Sequence, residues 1–200
     1  MSNGPFDIDV DTLGNMRPIS KVVFSFGSNQ GDSPAILTRA VEVLAETPDL
    51  IVVDVSPVYQ TPFQGDGPEQ DDYLNLVVLA ESTLEPMTLL DRAFAIEESF
   101  DRERTIPNGP RTLDIDIIMV GKRISEEDIE LPHPRAHERA FVLVPWEQAN
   151  PQAQLMVRTA SGWANRAVAE LAREVSAADS HVNVNAVKLL RPMNFMPEEA

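Results

Sequence analysis

Two aspartates two residues apart, Asp114 and Asp116, interrupt a run that otherwise has the composition of a buried strand: Gly109-Pro110-Arg111-Thr112-Leu113-Asp114-Ile115-Asp116-Ile117-Ile118-Met119-Val120-Gly121. Aspartate is depleted in strands, and a carboxylate that loses water without a partner is costly. In an extended chain residues two apart face the same way, so Asp114 and Asp116 project together while Ile115 and Ile117 point away. Adjacent like charges repel unless a cation or a cluster of donors lies between them. Arg111 comes just before the pair, and Gly109-Pro110 makes a turn that could aim it back. Two chemistries are open on these residues alone. One is Mg²⁺ carrying a polyphosphate, since Mg²⁺ takes one or two carboxylates and fills its octahedron with water and phosphate oxygens. The other is a solvated pair, or a pair that partners structural arginines.

Composition narrows the class. At 200 residues, 43% hydrophobic and 24% charged, the chain has room for a real core as one soluble domain. No run approaches a membrane span, and no basic region followed by an apolar core marks a signal peptide. The absence of cysteine rules out disulfides and thiolate metal sites and fits a cytoplasmic protein. A net charge of −16 argues against nucleic-acid binding, which needs a cationic surface. In so acidic a chain the grouping of Arg102, Arg104 and Arg111, with Arg135 and Arg139 further on, suggests a focused anion site.

The elements that must position these residues follow from periodicity. Residues 1–20 show no usable period and read as a flexible acidic arm or a linker. Lys21 to Phe26 is a short apolar strand ending at Gly27-Ser28-Asn29. Ser33-Pro34 then opens a helix, with Ser33 as cap. Ile36, Leu37, Ala40, Val41 and Leu44 recur at helical spacing. Leu50 to Tyr59 and Tyr73 to Ser82 read as strands around a polar loop, and Pro86 opens a second helix reaching about Phe100. A second polar loop, 101–110, leads into the Asp-x-Asp strand. Gly121-Lys122 suggests a tight turn into a return strand near Ile124. A third helix is expected over Arg139–Gln148, bent at Pro145. A fourth covers 163–177, with Trp163, Val168, Leu171 and Val175 inward. Val182, Val184 and Ala186 alternate like an edge strand. The expected organisation is an arm over 1–20, one domain over 21–178 and a tail over 179–200. The order strand, helix, strand, strand, helix, strand is the split βαβ pattern. It predicts an α+β, ferredoxin-like sandwich with a mainly antiparallel sheet and an extra C-terminal helix.

Several segments together resemble the 6-hydroxymethyl-7,8-dihydropterin pyrophosphokinase family of folate biosynthesis. They are Phe26-Gly27-Ser28-Asn29, Ser56-Pro57-Val58-Tyr59-Gln60-Thr61-Pro62, Asp72-Tyr73-Leu74-Asn75, the Gly109 to Asp116 block, and Leu131-Pro132-His133-Pro134 followed by Arg139-Ala140-Phe141-Val142-Leu143-Val144-Pro145. They fall in family order over about residues 21–155, and the Gly-Pro-Arg-Thr-Leu-Asp-x-Asp block is the most specific.

The resemblance implies transfer of diphosphate from ATP to the hydroxymethyl group of the reduced pterin, with release of AMP. It implies that Asp114 and Asp116 hold two Mg²⁺ ions and that Arg102, Arg104 and Arg111 act on the phosphates. Glu97, Arg111, Ile117, His133 and Arg139 would contact ATP. Thr61, Pro62, Tyr73, Asn75 and Phe141 would form the pterin pocket, with Tyr73 and Phe141 as the stacking pair. No nucleic-acid or membrane partner is expected. A monomer is expected, with fusion to other folate-pathway enzymes or action beside them as a further expectation. The chain departs from the family where Asn108 stands in place of an aromatic before Gly-Pro-Arg. With the altered 101–110 loop, that departure supports a competing reading, a non-catalytic ferredoxin-like module that binds a nucleotide or other small ligand; a different metal-dependent phosphotransferase is a third.

Overall fold

The computed structural model describes residues 17–63, 69–101 and 109–178. The expected N-terminal arm up to residue 16, the tail from 179 with its alternating 182–186 segment, and Arg102, Arg104 and Asn108 lie outside the described residues. Strand β1 (Ser20–Ser28) leads to helix α1 (Ser33–Ala45), then β2 (Leu50–Val55), β3 (Tyr59–Thr61) and β4 (Tyr73–Ser82). Helix α2 (Pro86–Ser99) and strand β5 (Asp114–Val120) complete the first half. The sheet order is β2-β4-β1-β5, with β3 also paired to β4, and every pairing is antiparallel. This is the ferredoxin-like arrangement that the order of elements predicts.

Period-two alternation splits the sheet residues between two cores. Phe24, Phe26, Leu76, Val78, Ile115 and Ile117 face α1 and α2 on one side. Val23, Val77 and Ile118 face the other way. There α3 (Ala140–Ala149), α4 (Val168–Ala178) and a hairpin of β8 (Gln154–Thr159) and β9 (Gly162–Ala167) cover them. A bulge at Ile118 offsets the β1–β5 register, so that Val23 opposes Met119 while Phe24 opposes Ile117. Asp114, Asp116 and Ile118 share the face covered by α3.

Four local expectations are corrected. Asp32, not Ser33, caps α1: its side chain accepts from the Ala35 amide at 3.2 Å. The Ser33 hydroxyl instead accepts from Ser28 Oγ at 2.8 Å, tying helix to strand. The Leu50–Tyr59 strand breaks at Ser56-Pro57, because proline has no amide for the ladder; Ser56 Oγ accepts from the Val77 amide at 2.9 Å there. The segment near Ile124 does not return along β5. Ser125–Glu126 (β6) pairs instead with Glu130–Leu131 (β7). Residues 162–167 are strand rather than helix, and Trp163 is 36% exposed, not in the core. Gly162 at φ +118° is the conformation that closes the β8–β9 turn. Among the described residues no helix is long and apolar enough to cross a membrane.

Candidate active site

The site is built where β1 carries small residues beside the acidic pair. In register, Gly27 lies between Asn75 and Asp114, and Ser25 between Val77 and Asp116. A side chain at Gly27 is crowded: an added Cβ would stand 3.0 Å from Asn75 Oδ1, which would have to give way, and 3.6 Å from the Tyr73 ring. The hollow left above β1 is a cavity of about 320 Å³. Gly27 and Ser25 form its floor, Asp114 and Asp116 one wall, and Thr61, Pro62, Phe63, Tyr73 and Asn75 the other. Arg111, Arg135, Arg139 and Phe141 complete the lining.

Each carboxylate holds a guanidinium. Arg111 donates to Asp114 Oδ1 at 2.6 Å, and Arg139 donates to Asp116 Oδ2 at 2.7 Å. The second of the two chemistries open in the sequence, pairing with the chain's own arginines, is thus present in this structure. It does not seal the site, because all four groups line the cavity and keep between 21% and 33% of their side-chain exposure. Burial disfavours the Arg111 charge, but Asp114, with smaller contributions from Tyr73 and Asp116, more than offsets it and raises its pKa above the usual guanidinium value. Arg139 also lies 5.4 Å over the ring of Phe141. Among the described residues, no group of three or more His, Asp or Glu is placed to hold a metal by itself. A hard, two-carboxylate donor set facing open space suits Mg²⁺ completed by substrate oxygens.

His133 reaches the pair through its backbone, which donates to the Ile118 carbonyl at 2.8 Å. Its Nδ1 accepts from the Arg135 amide at 3.1 Å, and its Nε2 lies 3.3 Å from Arg139 Nη1 and 3.7 Å from Asp116 Oδ2. Burial lowers its pKa below 6.5; Asp116 opposes this, and Arg139 adds to it. The unfolded chain therefore binds a proton that the folded protein resists, so stability present above pH 6.5 is lost as pH falls toward the folded value. With divalent cations chelated, the wild-type melting temperature should fall more steeply than that of His133→Gln between about pH 7.5 and about pH 5. Equal slopes would remove His133 from this balance.

The remaining expected residues divide. Tyr73, Asn75, Thr61, Pro62 and Phe141 converge on the cavity, and Asn75 Nδ2 donates to Thr61 Oγ1 at 2.8 Å. Glu97 does not reach it. Only 2% exposed on α2, its carboxylate accepts from the Ile115 amide at 2.7 Å and satisfies the outer edge of β5. The Ile117 side chain points into the α1–α2 core.

Residues to which the sequence assigned no role also appear. Phe63 stacks on Tyr73 with ring centroids 6.4 Å apart and planes inclined by 30°. Asn29 joins three segments: its Oδ1 accepts from the Arg111 amide at 2.8 Å, while its Nδ2 donates to Gln70 Oε1 at 2.9 Å and to the Asp71 carbonyl at 3.0 Å. Tyr73 Oη donates to the same Gln70 oxygen at 3.2 Å. The small residues opposite the acidic pair were a usable signal for Ser25 and Gly27, but only once the strand register was known.

Comparison with known proteins bears on the family and the fold. The sequence profile of the 7,8-dihydro-6-hydroxymethylpterin-pyrophosphokinase (HPPK) family matches residues 23–151. The 2-amino-4-hydroxy-6-hydroxymethyldihydropteridine pyrophosphokinase of Mycobacterium tuberculosis is 37% identical over 185 residues, 87% of this chain and 92% of that protein. The bifunctional protein FolKE of Lactococcus lactis is 43% identical over 122 residues, 60% of this chain but only 35% of that protein. A crystal structure of a Plasmodium falciparum HPPK-DHPS triple mutant superposes with a TM-score of 0.63 at 14% identity, covering 87% of this chain and 48% of that one. At that identity the likeness speaks to the fold alone.

Proposed function

Because the chain belongs to the 7,8-dihydro-6-hydroxymethylpterin-pyrophosphokinase family, we propose that the cavity between β4 and β5 binds ATP and 6-hydroxymethyl-7,8-dihydropterin and transfers diphosphate between them. The pterin hydroxymethyl oxygen bonds to the β-phosphorus, the bond from that phosphorus to the α–β bridging oxygen breaks, and AMP leaves. The hydroxyl proton passes to solvent. The observation that carries this reading is two carboxylates on one strand face, each holding a guanidinium, across a hollow from Tyr73 and Asn75.

Asp114 and Asp116 would hold two Mg²⁺ ions. When bound, these ions neutralise the oxygens that shield the attacked phosphorus and keep the phosphate chain in line. Arg111 and Arg139 would exchange partners on binding, each guanidinium turning from its aspartate to phosphate oxygens and leaving the carboxylate to hold a cation. No charge is left uncompensated, which keeps the cost of entry low. His133, with Nε2 3.3 Å from Arg139 Nη1, would join it on the phosphates. The chain's part in the chemistry is thus positioning and charge stabilisation.

The pterin, a flat heterocycle, lies between the aromatic faces of Tyr73 and Phe141, with the Asn75 amide on its edge. Phe63, stacked on Tyr73, adds a further ring to the lining. Gly27→Ala tests this wall, because its methyl group must push the Asn75 amide off its place. We expect pterin affinity, measured by calorimetry with a non-hydrolysable ATP analogue, to weaken about tenfold, the cost of one misplaced polar contact. Unchanged affinity would take Asn75 out of the pocket.

The decisive assay separates products with the purified chain. AMP should form only when ATP, Mg²⁺ and the reduced pterin are all present. ADP would point to a different phosphotransferase, and binding without turnover to a regulatory module.

A further inference from the structure

At the end of the sheet away from Asp114 and Asp116, the face under α3 and the β8–β9 hairpin is hollow, a cavity of about 880 Å³. Val53, Leu79, Val23 and Met119, from β2, β4, β1 and β5 in turn, make its floor. Trp146 on α3 and Met156 on β8 line the other side. Ile19 and Val53 are 70% and 60% exposed, so the apolar lining opens to solvent at one lip. A hollow of this size with a mainly apolar lining and a few polar groups has the character of a small-molecule site. Its polar groups are unevenly placed. On the hairpin side they are neutral amides, Asn150, Gln154 and Asn165. On the sheet side stand Lys21, Lys122 and Arg123, with Glu81 the one carboxylate of the described lining, in a chain whose net charge is −16. Glu81 is the cross-strand neighbour of Lys21 and offsets its charge. Arg123 pairs with Glu85 at 2.9 Å. Lys122, exposed on the turn after β5, has no ion pair among the described residues. The lining is left with one positive charge over.

We propose that this cavity binds a small amphipathic monoanion, an aliphatic carboxylate with its tail on the sheet floor and its headgroup beside Lys122. The floor is aliphatic and thioether rather than aromatic, and Met119 and Met156 can adjust their side chains to a flexible tail. The single charge over sets the headgroup. A carboxylate carries one negative charge, whereas a phosphate monoester carries nearly two at neutral pH, more than the rim has to spare. An uncharged lipid would leave Lys122 unmatched. Neither substrate of the proposed reaction suits this hollow, since ATP is a polyanion and the pterin a polar, flat heterocycle. A second copy of the chain is disfavoured as occupant, because two molecules at −16 repel each other as wholes. A small monoanion does not meet that barrier.

The test titrates the full chain with decanoate, 1-decanol and acetate, by calorimetry and by tryptophan fluorescence. Trp163→Phe leaves Trp146, in the cavity lining, as the sole tryptophan. Decanoate should bind saturably, one per chain, shift the Trp146 emission, and stay bound in excess non-hydrolysable ATP analogue with Mg²⁺. Acetate, which lacks the tail, should not bind, and decanol should bind about tenfold more weakly than decanoate. Lys122→Glu should weaken decanoate about tenfold, because attraction becomes repulsion, and leave decanol unchanged. Met156→Trp, which fills the hollow with a larger side chain, should weaken both. Lys122 is on an exposed turn, so its variant carries the test even if Met156→Trp fails to fold. The proposal is overturned by any of these results: no saturable binding, an unchanged Trp146 emission, or decanol binding as tightly as decanoate. Displacement by the nucleotide analogue, or an affinity indifferent to Lys122→Glu, would overturn it equally. Loss of decanoate binding as the chain dimerises at high concentration would give the groove to a second copy instead.

Discussion

Changing Asp114 and Asp116 together to asparagine is expected to lower AMP production at least about a thousandfold, while the protein remains folded. Asparagine keeps the size and one acceptor oxygen of aspartate but not the charge. A neutral amide holds Mg²⁺ far more weakly than a carboxylate and cannot balance its charge beside a triphosphate. The competing account is that the carboxylates serve only Arg111 and Arg139, to which they bond at 2.6 and 2.7 Å. On that account the double substitution would cost stability instead. Partly exposed ion pairs contribute roughly 1 kcal/mol or less each, so the melting temperature would move by a few degrees and turnover would hardly change. Steady-state assays across a Mg²⁺ titration, beside thermal melts in chelator, separate the two. Wild-type turnover in the double variant would sink the metal role, and with it the assignment of the site.

Replacing Arg111 by methionine should reduce kcat about a hundredfold, in the range found when one donor to a developing charge is removed. Pterin affinity should stay close to wild type, since Tyr73, Asn75 and Phe141 are untouched. The backbone of Arg111 is anchored on both sides. Its amide is held by Asn29 Oδ1 at 2.8 Å and its carbonyl accepts from the Asn29 amide at 3.1 Å, so the guanidinium swings from a fixed base. The informative control is Arg111→Lys. Neutralising Asp114 requires only a positive charge, which lysine supplies. Gripping two phosphate oxygens at once requires the planar fork, which it does not. If lysine restores full turnover, Arg111 is merely a counter-ion. Restoration of no more than about a tenth of wild-type kcat places it on the phosphates.

The lettering of the chain was sufficient for whatever depends on neighbours in sequence. The two-residue period put Asp114 and Asp116 on one face, and the helical spacing of Leu37, Ala40, Val41 and Leu44 placed them in a core. Pro86 opens α2, as its fixed φ and missing amide suit a first turn. The family blocks carried the fold and the reaction with them. Where reading failed locally, a competing signal lay in view. Leu171 and Val175 extend backward at helical spacing to Val168 and Trp163, yet Ser161-Gly162 is a turn, and only pairing with β8 decides that 162–167 is a strand.

What tertiary structure alone decided is who stands opposite whom. Arg139 is 23 residues from Asp116 and bonds to it. Gly27 lies beside Asp114 through a register between strands nearly ninety residues apart, and that adjacency is what hollows the site. Glu97 and Ile117 went to the other side because α2 covers the open edge and inner face of β5. Local sequence sets which way each side chain points along its own strand. The partners it meets are chosen by long-range strand pairing, whose register is won by burying two apolar faces at once, a condition that belongs to the whole chain and to no segment of it.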